Sequence, residues 1–160
     1  MEDFMTQGLE IRPVLTMSDE LNSLMVEADL EGHHFMRRLR KEWEAGLNRF
    51  DGDGEFLLGA YCDQRLCGVG GLNADPYSSL PAIGRLRHLY VAPPARRLGI
   101  GTMLVNEIRV RAMQRFLALR LRTSSVAAAA FYDRLGFEKT DEEAASTHFS
   151  WNVSRDSRSG

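Results

Sequence analysis

The chain has 160 residues and a mass of 18.0 kDa, the size of one domain with a substantial hydrophobic core. Hydrophobic residues make up 44% of it and charged residues 26%, as in ordinary soluble globular proteins. The formal net charge of −2 gives the chain no overall attraction for nucleic acid or for a membrane surface, so neither is expected as a partner.

The amino-terminal residues are acidic and lack the apolar stretch of a signal peptide. No apolar run approaches the length needed to span a bilayer. The two cysteines, Cys62 and Cys67, have no nearby His or Cys pair that would complete a zinc site, so we expect reduced thiols that flank a turn. Together these features predict a cytoplasmic protein.

The first third of the chain predicts one strand and two helices. Residues 9–14 alternate and are rich in β-formers, which indicates a strand. Ser18, with acids directly after it, is a helix start signal, and a helix of about three turns should follow. Residues 33–47 predict a second helix that Gly46 would end. Its apolar stripe has four-residue spacing and consists of Phe35, Leu39 and Trp43.

The middle of the chain predicts a turn, a hairpin and a loop. Residues 51–54 superficially resemble a calcium loop, but no glutamate follows at the required distance, so we interpret them as a turn. Residues 56–61 and 66–72 are two short apolar runs separated by polar residues, a pattern typical of an antiparallel hairpin. Residues 73–81 should form a loop that could hang over a cleft.

A fourth strand is predicted at residues 85–91, and a helix should run from about Gly99 to Gln114. Residues 116–123 predict the fifth strand. Its apolar face would carry Leu117, Leu119 and Leu121, and its other face Arg120 and Arg122.

The last part of the chain predicts a helix and two strands. Ser124 or Ser125 can cap a helix that begins at Val126, and Gly136 is well placed to end it. Residues 137–140 and 147–153 should form the last two strands. We therefore expect a single domain over residues 1–153, followed by a disordered tail at residues 154–160.

The segment between the fourth strand and the next helix, residues 89–104, has the features of a phosphate-binding loop. Two prolines end the strand, and Gly99 and Gly101 allow a tight turn and a close approach of the backbone to a ligand. The following helix begins with unpartnered N–H groups at the positive end of its dipole. These features predict a site for an anionic phosphate group. Arginines exceed acids around this segment, which suits a small polyanionic ligand, although a solvated helix face would explain them too.

Two motifs in this order resemble those of the GCN5-related N-acetyltransferase (GNAT) superfamily. Residues 96–101 match its Arg/Gln-x-x-Gly-x-Gly/Ala motif directly after a strand, and residues 130–137, AFYDRLGF, match its short tyrosine-bearing helix. The resemblance covers roughly residues 9–153. A dinucleotide-binding Rossmann unit is excluded, because it expects the glycines after the first strand and an acid about twenty residues further on, where this chain has residues 119–122.

The resemblance implies a GNAT acyl-CoA N-acyltransferase fold of α/β (α+β) class. This fold has a twisted, mixed but mostly antiparallel sheet of about six to seven strands, helices on both faces, and a splay between strands four and five. The resemblance also implies acetyl-CoA as cosubstrate and no metal. The residues expected to bind the cosubstrate are Leu89, Tyr90, Val91, Arg96, Arg97, Leu98, Gly99, Ile100, Gly101, Thr102, Ser125 and Phe131.

The resemblance also assigns catalytic and acceptor positions. Tyr132 matches the family tyrosine that protonates the leaving thiolate, although a purely structural role in the core is the alternative. Several family members place a glutamate base where this chain has Arg85, and a guanidinium cannot act as a base. We predict that strand alternation places His88 on the face opposite Arg85, where a packed histidine is expected.

The acceptor site is the least constrained part of the sequence. Arg85 could instead bind an acidic group of the acceptor, and His33, His34 and Asn73 are further candidates for contact with it. Either histidine could help to remove a proton, or it could lie on a solvated helix face. Weaker candidates for the base are Glu31, Asp75 and Tyr77.

The sequence therefore predicts an N-acetyltransferase that moves an acetyl group from acetyl-CoA to a primary amine in a ternary complex. The acceptor would be a small molecule or a peptide. The alternative is a non-catalytic acyl-CoA-binding or regulatory domain that keeps the phosphate loop and lacks the base. Members of the family often dimerise, so a homodimer is left open.

Overall fold

A seven-stranded sheet and four α-helices make up the computed structural model, which describes residues 8–78, 82–140 and 146–151. The strands are β1 (Leu9–Pro13), β2 (Phe56–Cys62), β3 (Arg65–Ala74), β4 (Ile83–Val91), β5 (Ala118–Leu121), β6 (Glu138–Lys139) and β7 (His148–Trp151). The helices are α1 (Asp19–Leu30), α2 (Phe35–Glu44), α3 (Ile100–Ala112) and α4 (Val126–Arg134).

The strands lie in the order β1-β2-β3-β4-β5-β7-β6. All neighbouring pairs are antiparallel except β4 and β5, which are parallel. The parallel pair joins only residues 83–85 of β4 to residues 118–120 of β5, and β4 then continues to Val91 without β5. The predicted fold class is therefore confirmed, including the splay between strands four and five.

Helices cover both faces of the sheet, as predicted. On one face α3 places Leu104 and Ile108, both fully buried, in a cluster with Leu58 and Leu72 of the sheet. On the other face α1 and α2 pack over Val69 with a separate set of buried side chains. Helix α4 belongs to the α3 face, because its Tyr132 lies in the same cluster as Leu104.

Local signals in the sequence explain most helix boundaries. The Ser18 hydroxyl accepts a hydrogen bond from the Leu21 amide (3.1 Å) at the start of α1, and Ser125 accepts one from Ala128 (3.2 Å) at the start of α4. Gly46 and Gly136 follow α2 and α4 with positive φ of 72° and 89°, which suits glycine after a helix end. These start and stop predictions are confirmed.

Two predicted apolar stripes are partly wrong. In α2 the buried residues are Met36, Leu39 and Trp43, while Phe35 is 39% exposed because it lies in the first turn. In β5 the buried residues are Leu119 and Leu121. Leu117 is 53% exposed because it precedes the strand.

The predicted loop at residues 73–81 begins too early. Strand β3 extends through Ala74, and Asn73 is a buried strand residue that pairs with Arg85 of β4. The polar side chain is tolerated inside the strand because it exchanges hydrogen bonds with the Asn48 side chain. Residues 79–81 lie outside the described part of the chain.

The prediction for His88 is wrong in one respect. Pairing between β3 and β4 passes from Gly71↔Arg87 to Val69↔Tyr90, so Gly70 faces two residues of β4, and His88 has a positive φ of 59°. This β-bulge shifts the alternation by one residue. His88 therefore lies on the same face as Arg85, with its ring 6.0 Å from that of Phe50. It is buried, as expected.

Several predictions fall beyond the described residues, including the tail at 154–160 and the last two residues of the predicted strand 147–153. Among the helices of the described residues, none combines the length and the apolar character needed to cross a membrane.

Candidate active site

The loop between β4 and α3 has the backbone of an anion site. Pro93 begins a short 3-10 turn, since proline cannot continue a sheet ladder, and Arg97 and Gly99 then take positive φ of 66° and 80°. The first intrahelical bond of α3 runs from the Met103 amide to the Gly99 carbonyl (3.0 Å). The amides of residues 100–102 thus precede the helical ladder, and no acid lies in the first turn to compete with an anion.

Gly101 lies where three elements meet. A Cβ at this position would be 3.5 Å from the Phe131 ring of α4 and 3.7 Å from the Val91 side chain of β4. Val91, Leu89, Leu98 and Phe131 are all partly buried against the same apolar cluster. The structure therefore brings together the apolar residues that were predicted to surround the cosubstrate.

Arg96 connects this loop to the end of α1, which packs on the opposite face of the sheet. Its guanidinium donates to both carboxylate oxygens of Glu31 (2.9 and 2.7 Å) and to the Val91 carbonyl (2.9 Å). The Tyr90 hydroxyl donates to the same carboxylate, and Glu31 is the C-cap residue of α1, where its backbone N–H donates to the carbonyls of Glu27 and Asp29. These bonds to Arg96 and then Tyr90 hold the pKa of Glu31 below its usual range. The Arg96 guanidinium is thus held by hydrogen bonds within the protein, whereas Arg97 is exposed.

The open edge of β4 lies directly before this loop. Residues 86–91 have no strand partner on the β5 side among the described residues, because the parallel pairing ends at Arg85. Within this open stretch the β-bulge at His88 bends the strand. An extended molecule with amide groups could hydrogen-bond to such an edge as an added strand does.

Tyr132 lies on α4 within an aromatic cluster. It is 7% exposed, and its ring centroid is 5.1 Å from that of Phe131, 5.4 Å from that of Phe137 and 6.1 Å from that of His148. Burial raises the pKa of the phenol, so the hydroxyl keeps its proton at neutral pH. The side chain can therefore donate a proton and cannot act as a base.

His148 beside Tyr132 was missed by the sequence reasoning, which used its segment only to predict a strand. The buried ring lies between the Thr147 hydroxyl (2.9 Å) and the Asp133 carboxylate (3.2 Å). No local motif signals this position, because Asp133 meets Thr147 and His148 only when β7 packs beside α4.

Ser125 lies at the start of α4, where the sequence predicted a helix cap, and its hydroxyl accepts the capping hydrogen bond. Its contact with the cosubstrate stays a prediction.

The two candidate histidines lie in different surroundings. The His33 ring is half-buried, 5.8 Å from the Tyr90 ring and 5.6 Å from the Phe35 ring. His34 is exposed, and its Nδ1 lies 3.1 Å from a carboxylate oxygen of Asp29 on the outer surface of α1. The structure therefore brings only His33 close to β4.

Asn73 and Arg85 are neighbours on the α1–α2 face of the sheet. The Asn73 amide exchanges hydrogen bonds with Asn48 (2.9 and 3.0 Å) and accepts one from Arg87 (3.3 Å). Arg85 is 8% exposed and stacks on the Tyr77 ring at 4.8 Å. Burial lowers the pKa of its guanidinium, and the positive charges of Arg87 and Arg122 add to that effect.

The weaker base candidates also have defined surroundings. Glu31 is engaged by Arg96 and Tyr90. The Asp75 side chain is fully buried and lies 3.9 Å from Arg85 and 3.8 Å from Arg120. Tyr77 is 54% exposed. In the described residues no group of three or more His, Cys, Asp and Glu side chains could hold a metal ion.

Comparisons with known proteins agree with this geometry. Residues 53–139 match the family model of the acetyltransferase (GNAT) domain, whereas no curated protein sequence matches. A protein from Exiguobacterium sp. 255-15 that is proposed to be an acetyltransferase has a similar crystal structure, with 28% identity over 89% of this chain and 93% of that one and a TM-score of 0.77.

Two further crystal structures share the fold at lower identity. A GNAT-family acetyltransferase from Staphylococcus aureus Mu50 is 17% identical over 91% of this chain and 99% of that one, with a TM-score of 0.73. A GNAT-family N-acetyltransferase from Escherichia coli, solved in complex with CoA, is 16% identical over 91% and 82%, with a TM-score of 0.66. The family model spans more than half of the sequence, and the chain therefore belongs to the GNAT acetyltransferase family.

Proposed function

We propose that the protein transfers an acetyl group from acetyl-CoA to the primary amine of a small molecule or peptide. The observation that carries this proposal is the adjacency of the leading amides of α3 and the open edge of β4. The first can bind a pyrophosphate, and the second can pair with the amides of a pantetheine arm. The Escherichia coli relative that was solved with CoA supports the same ligand class.

The residues of the loop fit such a ligand. The amides of Ile100, Gly101 and Thr102 would bind the pyrophosphate, while Leu89 and Val91 would line the path of the arm. At Gly101 the absence of a side chain would let the ligand approach the backbone closely. Acetyl-CoA supplies the activated thioester, and the protein supplies its orientation beside the amine.

The reaction needs few groups from the protein. The neutral amine nitrogen forms a bond to the acetyl carbon, the carbon–sulfur bond breaks, and the thiolate takes up a proton while the nitrogen loses one. Tyr132 would provide the thiolate's proton, because burial keeps its phenol protonated. A backbone N–H of β4 near the bulge would stabilise the oxyanion that develops on the acetyl oxygen.

Removal of the amine proton does not depend on Arg85. Since the Glu31 carboxylate already accepts from Arg96 and Tyr90, it is a poor base. His33 lies beside Tyr90 and is the better side chain to pass the proton to solvent, directly or through water.

A thiol-release assay tests the proposal. Acetyl-CoA is incubated with the protein and a broad panel of amines, including amino acids, peptides, polyamines and aminoglycosides. We expect the parent protein to release CoA with at least one amine, and Tyr132→Phe to bind acetyl-CoA normally with turnover reduced about 100-fold or more. Tyr61→Phe is the matched control, because Tyr61 lies on β2, where its ring stacks under Arg12.

The alternative is a non-catalytic acyl-CoA-binding or regulatory domain, and Arg85 at the position of the family glutamate favours it. Calorimetric titration that shows acetyl-CoA binding, together with no thiol release for any amine, would support this alternative. Equal turnover of Tyr132→Phe and the parent protein would remove the acid role from Tyr132 and leave the transferase assignment intact.

A further inference from the structure

His148 connects β7 to the segment of chain that carries Tyr132. Its Nε2 lies 3.2 Å from a carboxylate oxygen of Asp133 on α4, and its Nδ1 lies 2.9 Å from the Thr147 hydroxyl. The oxygen of that hydroxyl also accepts from the amide of Thr123 (3.0 Å), which lies between β5 and α4. The His148 side chain is only 3% exposed. One buried imidazole thus joins β7 to the residues before α4 and to α4 itself.

The two partners determine where the imidazole carries its proton. A carboxylate can only accept a hydrogen bond, so Nε2 holds the proton and donates to Asp133. In the neutral ring Nδ1 then accepts from the Thr147 hydroxyl. Both ring nitrogens are engaged in this way, so His148 has none left to exchange a proton with Tyr132, whose ring centroid lies 6.1 Å away. An effect of His148 on Tyr132 must therefore be one of position.

Helix α4 has little apolar packing to fix its orientation. Residues 126–130 are one valine and four alanines, and Val126 is 88% exposed. Of the helix residues, all of which the structure describes, Tyr132 alone is buried, while Phe131 is partly buried against the same cluster. Just beyond the helix, Arg109 donates to the Leu135 carbonyl (2.7 Å). Since side chains with few contacts restrain a helix weakly, hydrogen bonds of this kind must fix its position.

The Asp133 carboxylate has a second partner at the surface. Lys139 Nζ lies 3.4 Å from its other oxygen, and the Lys139 side chain is 72% exposed. An exposed ion pair adds little to stability, because water screens it and a long side chain loses freedom. The bond to the buried His148 is shielded from water on the imidazole side. It is therefore the contact that restrains Asp133.

This restraint acts where the position of α4 matters for the reaction. Asp133 directly follows Tyr132, so a shift of one moves the other. On the other side of Tyr132, the Phe131 ring lies 3.5 Å from where a Cβ at Gly101 would be, next to the proposed cosubstrate site. A general acid must come within hydrogen-bond reach of the atom that it protonates. Misplacement by about 1 Å can lower a rate about 100-fold.

We propose that His148 is a positioning residue for Tyr132, the acid of the proposed transfer. By holding Asp133 against β7, the imidazole fixes the orientation of α4 and hence the place of the phenol beside the sulfur of the thioester. This inference rests on the proposed acetyl transfer and on the acid role of Tyr132 within it.

Two amide variants separate the bond to Asp133 from the rest of the His148 side chain. Glutamine can place an N–H where the imidazole has Nε2, whereas asparagine reaches only the position of Nδ1. We expect His148→Gln to keep most of the parent's kcat and His148→Asn to lower it about tenfold to 100-fold. The acceptor KM should not change, because the proposed acceptor site beside Tyr90 lies on the other face of the sheet. Thiol release at saturating acetyl-CoA measures both constants.

A double-mutant cycle shows whether His148 acts through Tyr132. In the Tyr132→Phe protein, His148→Asn should lower kcat no further, because the group that it positions is gone. Because His148 is buried and its replacement could impair folding, Asp133→Ala breaks the same bond from the more exposed side of the pair. It should lower kcat as much as His148→Asn does.

Ser18→Ala is the control for a loss of stability alone. It removes the hydrogen bond that caps the start of α1, on the face of the sheet opposite α4. We expect it to lower the unfolding temperature and to leave kcat unchanged. All variants are assayed at a temperature where circular dichroism shows them to be folded.

The outcomes separate this inference from the proposed function. Equal kcat in His148→Asn, Asp133→Ala and the parent protein would overturn the positioning role while acetyl transfer stands. Losses of kcat that multiply with that of Tyr132→Phe would overturn it as well, because His148 would then act independently of Tyr132. Full turnover by Tyr132→Phe would remove the acid and, with it, the role of His148. Absence of thiol release with every amine would overturn the proposed transfer itself.

Discussion

His88 shows how one residue can alter a strand. It has a positive φ of 59°, which is uncommon for any residue except glycine, and it occupies the bulge opposite Gly70. Its ring is buried between those of Phe50 and Phe35, at 6.0 and 6.3 Å. Burial lowers the pKa of the imidazole to about 3, with the charge of Arg87 adding to the effect. His88 is therefore neutral in the folded protein at ordinary pH.

The low pKa of His88 predicts a pH dependence of stability. Between the unfolded value of 6.5 and the folded value of about 3, the unfolded chain binds more protons, so the free energy of unfolding falls as pH falls through this window. From pH 6.5 to pH 5 the parent protein should lose about 1.5 kcal/mol more than His88→Phe does. Urea titrations of both proteins at the two pH values measure this difference. Parallel losses would show that His88 is protonated equally in both states.

For single residues, the sequence could predict which ones lie at the site but not the face of the sheet towards which every side chain points. Tyr132 and Ser125 could be located from their motifs, and the structure places them at the inner face and the start of α4. The side of the sheet on which His88 lies could not be predicted, because a bulge depends on pairing with β3, a distant segment. The same holds for Asp75 and Arg120, which meet only when β3, β4 and β5 are assembled.

Among the elements, the loop before α3 depends on two glycines in different ways. Gly99 has a φ of 80°, and a side chain there would be strained whatever the available space. Gly101 is inside the helix, and a Cβ there would have its nearest neighbour at 3.5 Å, an ordinary contact. The fold therefore needs the first glycine for its backbone conformation, whereas it can accept a methyl group at the second.

This difference gives a paired prediction. Gly99→Ala should reduce the free energy of unfolding by about 1–2 kcal/mol, because alanine resists the left-handed conformation, and should weaken acetyl-CoA binding as the loop shifts. Gly101→Ala should be neutral or stabilising by up to about 1 kcal/mol, since alanine favours the helix. Thermal unfolding and calorimetric titration with acetyl-CoA measure both effects. Equal destabilisation by the two variants would contradict the assigned roles.

Most element positions could be predicted, because local signals determine helix ends. Ser18, Gly46, Ser125 and Gly136 all act as the sequence indicated. The boundary of β3 could not be predicted from Asn73, since a buried amide in a strand is tolerated only when a partner such as Asn48 satisfies it.

In the molecule as a whole, a short parallel ladder joins the two parts of the sheet. Strands β1–β4 and strands β5–β7–β6 are joined by three paired residues on each side of the parallel ladder. The β4 edge beyond Arg85 should therefore exchange its outward amide hydrogens readily in the absence of ligand. Pairing with a pantetheine arm would remove those amides from water.

Hydrogen exchange measured by mass spectrometry can test this expectation. Addition of acetyl-CoA should slow exchange in peptides that cover residues 86–103, which contain the open edge and the phosphate loop. Peptides from β2, which is paired on both sides, serve as the internal control and should not change. Protection that appears only in β2 and β3 would contradict the proposed position of the cosubstrate.

The carboxylate of Glu31 has a thermodynamic consequence. It belongs to the C-cap residue of α1, close to His33 and the proposed acceptor site, and it accepts from Arg96 at the start of the loop before α3. Any acceptor that displaces the end of α1 must also change the energy of the loop in which acetyl-CoA would bind. Linkage is reciprocal, so acetyl-CoA would alter the affinity for that acceptor by the same factor. The affinities of the protein for its two substrates would then be coupled through the Glu31–Arg96 ion pair.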